Sequence, residues 1–440
     1  MAGKKQAAPN KSSSKGGART PSTRNPKPNS QQTPTQTTEQ GESEEELRRQ
    51  QILLNIFSAT FRTVLEADDF GAQLQEVKAA LFNRDFEGAF AREDALDVYA
   101  ARWSPTRALC YGRVLRGLDS HLKSVVNRSR KHHSPENEIG VQKAEDGREP
   151  EHTPAQSNQN KSAIKDKIQN PEPEDQEAPT AAIGQGDTKK EEKPQTLKVL
   201  AIGGAAAEIV AFADYISSQN ANTPSSTRGE ITLLDVGPWG PAVQRLQAAL
   251  TTTPPISQYA SATARAANKA LVSPASLHSD FLQKDILSLT REELAALITG
   301  QDDTDTPIPI LITLLFTLNE LYTASGIQRT TSFLRLLSTL VVPGTLLLVV
   351  DSPGSYSETA VGKEAKRYPM QWLLDHTLIP PPAKRKPGNG QGEEEQISAC
   401  RWEKVESHDS VWFRVADGLR YPIPLENMRY QMHLYRASVG

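Results

Sequence analysis

Apolar residues repeat along this chain in two ways, and two long stretches lack any repeat. From Ser43 the spacing is helical. Ser43-Glu44-Glu45-Glu46 has the form of a helix start, with carboxylates favoured at the N-terminal dipole. Leu53, Ile56, Phe57, Phe61, Val64 and Leu65 follow at three- and four-residue steps. The same period predicts a second helix through Leu74, Val77, Leu81 and Phe82, and a third from Asp94 to Arg102. Ser104-Pro105 reads as the cap and first residue of a fourth helix carrying Leu109, Val114 and Leu115.

After residue 195 short apolar runs alternate with helical ones. Strands are expected at 197–202, 230–235, 277–282, 308–316 and 345–350. Between them lie helical sets such as Ile209, Val210, Phe212, Ala213 and Ile216, or Phe333, Leu334, Leu337 and Leu340. Such alternation predicts a parallel, doubly wound sheet. The tail differs, with strand-like runs at 401–405, 410–415 and 429–437 and no long helix between them. The expected fold is α/β: a Rossmann-like sheet of the class I methyltransferase type with C-terminal antiparallel strands, plus a small N-terminal helical domain.

The unpatterned stretches set the domain organisation. Residues 1–43 are Lys-, Gln-, Ser-, Thr- and Pro-rich, with seven basic residues against one acid before residue 40. Residues 126–195 are polar, charged and Pro-dotted. Neither buries enough apolar surface to offset chain entropy, so both are expected to be disordered. That leaves a helical domain at 44–125, with possible RNA contact, and a cofactor-binding domain at 196–440. The net charge of −3 excludes a basic coat for nucleic acid, so RNA contact must be local. Two cysteines, Cys110 and Cys400, make neither a disulfide framework nor a cysteine-rich zinc site, which fits a reducing compartment. His132-His133 stands in a polar stretch, and no metal site is expected. No apolar run has membrane-spanning length and the N-terminus lacks a signal-type core, so no membrane association is expected.

The candidate chemistry lies at the strand ends. Gly203-Gly204 turns the first strand into a helix, where small residues let a ligand approach main-chain N–H groups; a packing turn explains them too. Ala205 and Ala207 stand where glycines are commoner. Glu208, in the first helical turn, suits the ammonium of S-adenosylmethionine or simply the helix dipole. Asp235 ends the second strand, where a carboxylate accepts ribose hydroxyls of an adenosine or NAD cofactor. Asp285 and Ile286 follow the third strand as candidates for the adenine seat, or as a helix cap. Asn319 and Glu320 follow the fourth, facing the transferred group, as candidates to orient a base and accept a proton. Arg102, Trp103 and Arg107, with Lys366 and Arg367, interleave charge and rings as RNA contact requires; a solvated helix face explains the first three nearly as well.

Arg102-Trp103-Ser104-Pro105 with Arg107-Ala108-Leu109, the Gly203-Gly204 turn into Ala207-Glu208, and Thr317-Leu318-Asn319-Glu320-Leu321 together resemble the fungal large-subunit (25S) rRNA uridine-N3 methyltransferases. The resemblance spans roughly 44–125 and 196–440. It implies an S-adenosylmethionine cofactor, methyl transfer to N3 of a uridine in 25S rRNA, and a 25S rRNA or pre-ribosomal partner in nucleus or cytoplasm. Two other readings stay open. One is an NAD-linked oxidoreductase, opposed by the antiparallel tail. The other is a catalytically inactive methyltransferase-like RNA-binding or ribosome-assembly protein, favoured by Ala201 and Ile202 standing where many methyltransferases have an acid.

Overall fold

A computed structural model describes residues 43–132, 195–222, 227–299, 307–354, 356–361, 364–379 and 400–439. The expectations for residues 1–42 and for most of 126–195 lie outside these.

Five strands form the parallel part of the sheet: β1 (Gln195–Ile202), β2 (Thr227–Asp235), β3 (Leu277–Gln283), β4 (Leu311–Leu315) and β5 (Leu346–Asp351). A separate two-stranded ribbon, β6 (Tyr356–Val361) and β7 (Glu364–Pro369), follows. The last two strands are β8 (Arg401–Phe413) and β9 (Met428–Ser438). The order across the sheet is β3-β2-β1-β4-β5-β9-β8, with β9 antiparallel to both of its neighbours. Strand order reverses beside β1, which pairs with β2 on one edge and β4 on the other. Beyond the carboxyl ends of β1 and β4 there is therefore a crevice, where open α/β sheets bind ligands.

Side-chain alternation splits the apolar residues of β1, β4 and β5 between two cores. Val199, Ala201, Leu311, Leu346 and Leu348 join one cluster; Leu200, Ile202, Ile312, Leu347 and Val349 join the other. Both faces are covered, which explains why these strands read as continuous apolar runs.

The N-terminal helices are α1 (Glu44–Thr60), α2 (Arg62–Leu65), α3 (Phe70–Phe82), α4 (Phe86–Phe90), α5 (Glu93–Gly117) and α6 (Asp119–His132). Ser43 caps α1 by accepting from the Glu46 N–H. These helices close no core of their own. Leu53, Phe57 and Leu109 share one cluster with β1 and with α7 (Ala206–Asn222), along which α5 packs. At that contact Asp214 of α7, fully buried, is clamped by Arg49 of α1 and Arg116 of α5.

The expected helix break at Ser104-Pro105 is absent: α5 runs through it, with Pro105 in its interior. Proline lacks the N–H that would bond the carbonyl four residues back, Ala101. That carbonyl instead accepts from the Tyr421 hydroxyl at 2.8 Å. Tyr421→Phe is expected to lower the unfolding free energy by about 1–3 kcal/mol, the cost of a buried unsatisfied acceptor, in urea titration followed by circular dichroism. An unchanged midpoint would mean that the helix tolerates the proline unaided.

The C-terminal runs expected at 401–405 and 410–415 are one strand, β8, with pairing irregularities between Lys404 and Glu406 and between His408 and Val411. Its middle reads as polar because an edge strand with exposed residues there has no apolar neighbour to meet.

Candidate active site

A cavity of about 300 Å³ opens at the carboxyl ends of β1, β2 and β4. Its wall takes Gly203, Ala205 to Glu208 and Asp235 from the first two strand exits, and Asp285 and Ile286 from the third. Phe316, Thr317 and Glu320 come from the fourth, and Phe86, Phe90, Tyr99, Ser104 and Arg107 from α4 and α5. The N-terminal helices thus form one side of this site.

The two glycines have packing reasons. Gly203 has φ of 66°, and a Cβ there would sit 2.3 Å from Thr317 Oγ1. A Cβ on Gly204 would sit 2.6 Å from that of Ala201, and Gly204 is not in the cavity wall. The turn is tight so that β1 and the β4 exit can meet, and the cavity surface here comes from Gly203 and the alanines after the turn.

Glu208 is 9% exposed, and its Oε2 accepts the Ala205 N–H at 2.8 Å. This is half of a capping box at the start of α7; Ala205 has no side chain for the reciprocal bond. Burial pushes the Glu208 carboxyl up to about 7. Asp235 Oδ1 accepts from the Gly237 N–H at 2.7 Å, and burial raises its carboxyl to about 6. Glu320 is likewise raised to about 7 by burial, with the Arg107 charge opposing. Its segment is anchored by Asp351 at the end of β5, which accepts the Asn319 N–H at 3.0 Å.

Other expected site residues are placed differently. Asp285 caps a short 3₁₀ turn through the Leu287 N–H at 2.9 Å and lies 3.8 Å from Arg329, while still bordering the cavity. The Asn319 side chain is not in the wall, and its Oδ1 is buried without a hydrogen-bond partner. Arg102 is buried against Glu426 from the β8–β9 loop, so the expected RNA-facing side chain is turned into the fold. Trp103 packs on Tyr99, ring centres 4.9 Å apart. Arg107 faces the cavity rather than an outer RNA surface. Lys366 and Arg367 lie on β7, paired with Thr359 and Glu358; their side chains lie outside the described residues. Sequence reasoning missed Tyr99 and Phe316 in the wall. The available signal was the i, i+4, i+8 alignment of Tyr99, Trp103 and Arg107 on one helix face.

This wall fits S-adenosylmethionine. The volume lies in the range of ligand sites, roughly 300–1,000 Å³. Four carboxylates, Glu208, Asp235, Asp285 and Glu320, share the cavity with the cations Arg107 and Lys284, an excess of negative charge that a sulfonium and an ammonium offset. Asp235 ends β2 in the cavity wall, where a carboxylate could accept ribose hydroxyls, and buried Ile286 with exposed Val236 could give an adenine apolar surface. Among the described residues no cluster of side chains could hold a metal ion.

Comparison with known proteins agrees. Residues 57–436 match the model of a family described as "Putative SAM-dependent methyltransferase". The chain is 27% identical over 406 residues to the 25S rRNA (uridine(2843)-N(3))-methyltransferase of Saccharomyces cerevisiae, covering 88% of this chain and 85% of that one. Among solved structures, a SAM-dependent methyltransferase from Methanosarcina mazei is 9% identical, with a TM-score of 0.28, covering 55% of this chain and 93% of that one. The antibiotic-resistance methyltransferase Kmr is 13% identical, with a TM-score of 0.27, covering 56% and 88%. The fold assignment rests on the strand order, to which those two scores add nothing. The family match runs from α1 to β9, and the chain belongs to this family of SAM-dependent methyltransferases, with S-adenosylmethionine as its cofactor.

Proposed function

We propose that this protein methylates N3 of a uridine in large-subunit ribosomal RNA. The observation that carries the substrate is the alignment with the yeast enzyme, which runs over most of both chains. The chemistry is supported by the carboxylate of Glu320, standing at the β4 exit in the cofactor cavity.

The cofactor supplies a methyl group on a sulfonium and is left as a neutral thioether. Uracil N3 is not a nucleophile until it loses its proton. A carboxyl raised to about 7 is a stronger base than an ordinary carboxylate and is still largely ionised just above neutrality. Glu320 would take the N3 proton and so leave a nitrogen lone pair able to accept the methyl group that the cofactor supplies. Glu208 would hold the amino-acid part of the cofactor and Asp235 its ribose, keeping the methyl group in line with the attacking nitrogen, the alignment such a displacement requires. The target base has to leave its stack to reach a cavity set below strand ends.

This reading puts the protein where large-subunit rRNA is assembled or used, nucleus or cytoplasm, with that RNA or a pre-ribosomal particle as partner. Among the described residues no helix is long and apolar enough to cross a membrane. The inactive RNA-binding alternative loses its main support, because Glu208 and Asp235 supply carboxylates to the cavity although β1 ends in Ala201-Ile202. The test is expression in a yeast strain lacking the uridine-2843 enzyme. Return of 3-methyluridine to 25S rRNA, read by nucleoside mass spectrometry, is expected. Its absence with the protein present and folded would count against the substrate.

A further inference from the structure

Among the described residues Arg107 has no carboxylate within ion-pair distance, although its charge acts on Glu208 and Glu320 in the same cavity. Its Nη1 donates to the Tyr99 hydroxyl, and its guanidinium carbon lies 5.4 Å from the Tyr99 ring centre and 4.9 Å from that of Phe316. No ion pair joins it to a described side chain, although Glu208 and Glu320 share its cavity. Arginine presents five N–H donors in a planar fork, so most of this one is left for a ligand. A half-buried cation flanked by rings is costly unless something polar completes it.

The Phe316 ring is set there by an unusual backbone. Its φ is 60°, in the left-handed region that bulky residues avoid, at a strain of about 1–3 kcal/mol. Its N–H bonds Val350 at 2.7 Å, fixing the turn directly after β4. A strained aromatic, an unpaired guanidinium and a carboxylate thus meet on the β4 side of the cavity.

We infer that the slot walled by Phe316, between Arg107 and Glu320, holds the target uracil, with the Arg107 fork bonded to a carbonyl oxygen beside N3, so that Arg107 is a second catalytic residue. This rests on the proposed function. Loss of the N3 proton spreads negative charge onto the flanking carbonyl oxygens, and a fixed cation in a water-poor site stabilises it. Phe316, with the Arg107 guanidinium over its ring, holds the fork in place at the slot's wall. A carboxylate of the cofactor is the other anion such a fork takes. The geometry favours the base: Arg107 stacks on the residue that follows β4, on the side of the cavity where Glu320 stands.

The test compares full-length Arg107→Gln and Arg107→Lys with wild type. The readouts are S-adenosylhomocysteine affinity by calorimetry, which also reports folding, and single-turnover methylation of unmodified 25S rRNA across pH. The expected result is S-adenosylhomocysteine affinity within about threefold of wild type for both. The rate should fall about 100-fold or more for Gln, with partial recovery for Lys. The rising limb of the pH profile should also move to higher pH, because Arg107 opposes the upward shift of Glu320. A rate loss matched by an equal affinity loss would overturn the inference and assign Arg107 to the cofactor's carboxylate. Unchanged rates would also overturn it. Wild-type protein that binds the cofactor product yet leaves rRNA unmethylated would overturn the substrate reading and, with it, the uracil assigned to the slot.

Discussion

Glu320→Gln is expected to lower kcat for rRNA methylation by roughly 10²–10⁴-fold while leaving S-adenosylhomocysteine affinity nearly unchanged. Gln keeps the size of the side chain and removes the ability to take a proton. The wild-type rate should climb about tenfold per pH unit below about 7 and flatten above it, following the ionisation of a carboxyl held up by burial. The variant should lose that limb. Single-turnover assays between pH 5.5 and 8.5 check both parts. Retained turnover with the limb intact would remove Glu320 from proton transfer and leave N3 ionisation to solvent.

Glu208→Gln is expected to separate cofactor affinity from stability, in opposite directions. The Glu208 carboxyl is raised from 4.5 to about 7 in the folded chain by burial. A raised folded value means that the native state holds the proton more tightly than the unfolded one. The favourable contribution is complete below about 4.5 and is lost as pH rises through 7, so the ionised carboxylate burdens the apo protein at pH 8 by about 3 kcal/mol. Asp235 and Glu320, both raised, act with the same sign. Apo protein should therefore melt at a lower temperature at pH 8 than at pH 5.5, and a cationic ligand should restore much of the loss. Cofactor affinity should weaken as pH falls below 7, where Glu208 takes up a proton. In Glu208→Gln the amide oxygen still accepts the Ala205 N–H, because Gln serves the same position of a capping box. The variant should melt higher than wild type at pH 8 when apo, bind S-adenosylmethionine at least tenfold more weakly, and show little pH dependence in that affinity. Calorimetry and thermal melts at three pH values measure all of this. Unchanged affinity would place the ammonium elsewhere.

The sheet was legible in the sequence because its central strands are buried on both faces. Leu346 to Val350 carry no polar residue, and Leu311 to Leu315 only Thr313. The carboxylates at strand ends were legible for the same reason, since strand ends mark the crevice. What failed were features set by residues distant in sequence. Ser104-Pro105 has the local form of a helix start, and only Tyr421, more than 300 positions later, makes Pro105 tolerable inside α5. Arg102 looks like a surface guanidinium until Glu426 from the β8–β9 loop meets it. Arg107 carries nothing in its neighbourhood to turn it from an outer face into the cavity; its place follows from α5 lying on α7 and presenting one side to the strand ends. The Gly203-Gly204 pair was visible and a packing turn was one of its two readings, but the neighbours that impose that turn, Thr317 and Ala201, were not.

The most direct measurement incubates purified protein with S-adenosylmethionine carrying a deuterated methyl group and 25S rRNA lacking N3 methylation, then digests the RNA to nucleosides for mass spectrometry. The account predicts deuterated 3-methyluridine in wild-type reactions and almost none with Glu320→Gln. Label on another nucleoside, or on another atom of uridine, would contradict it.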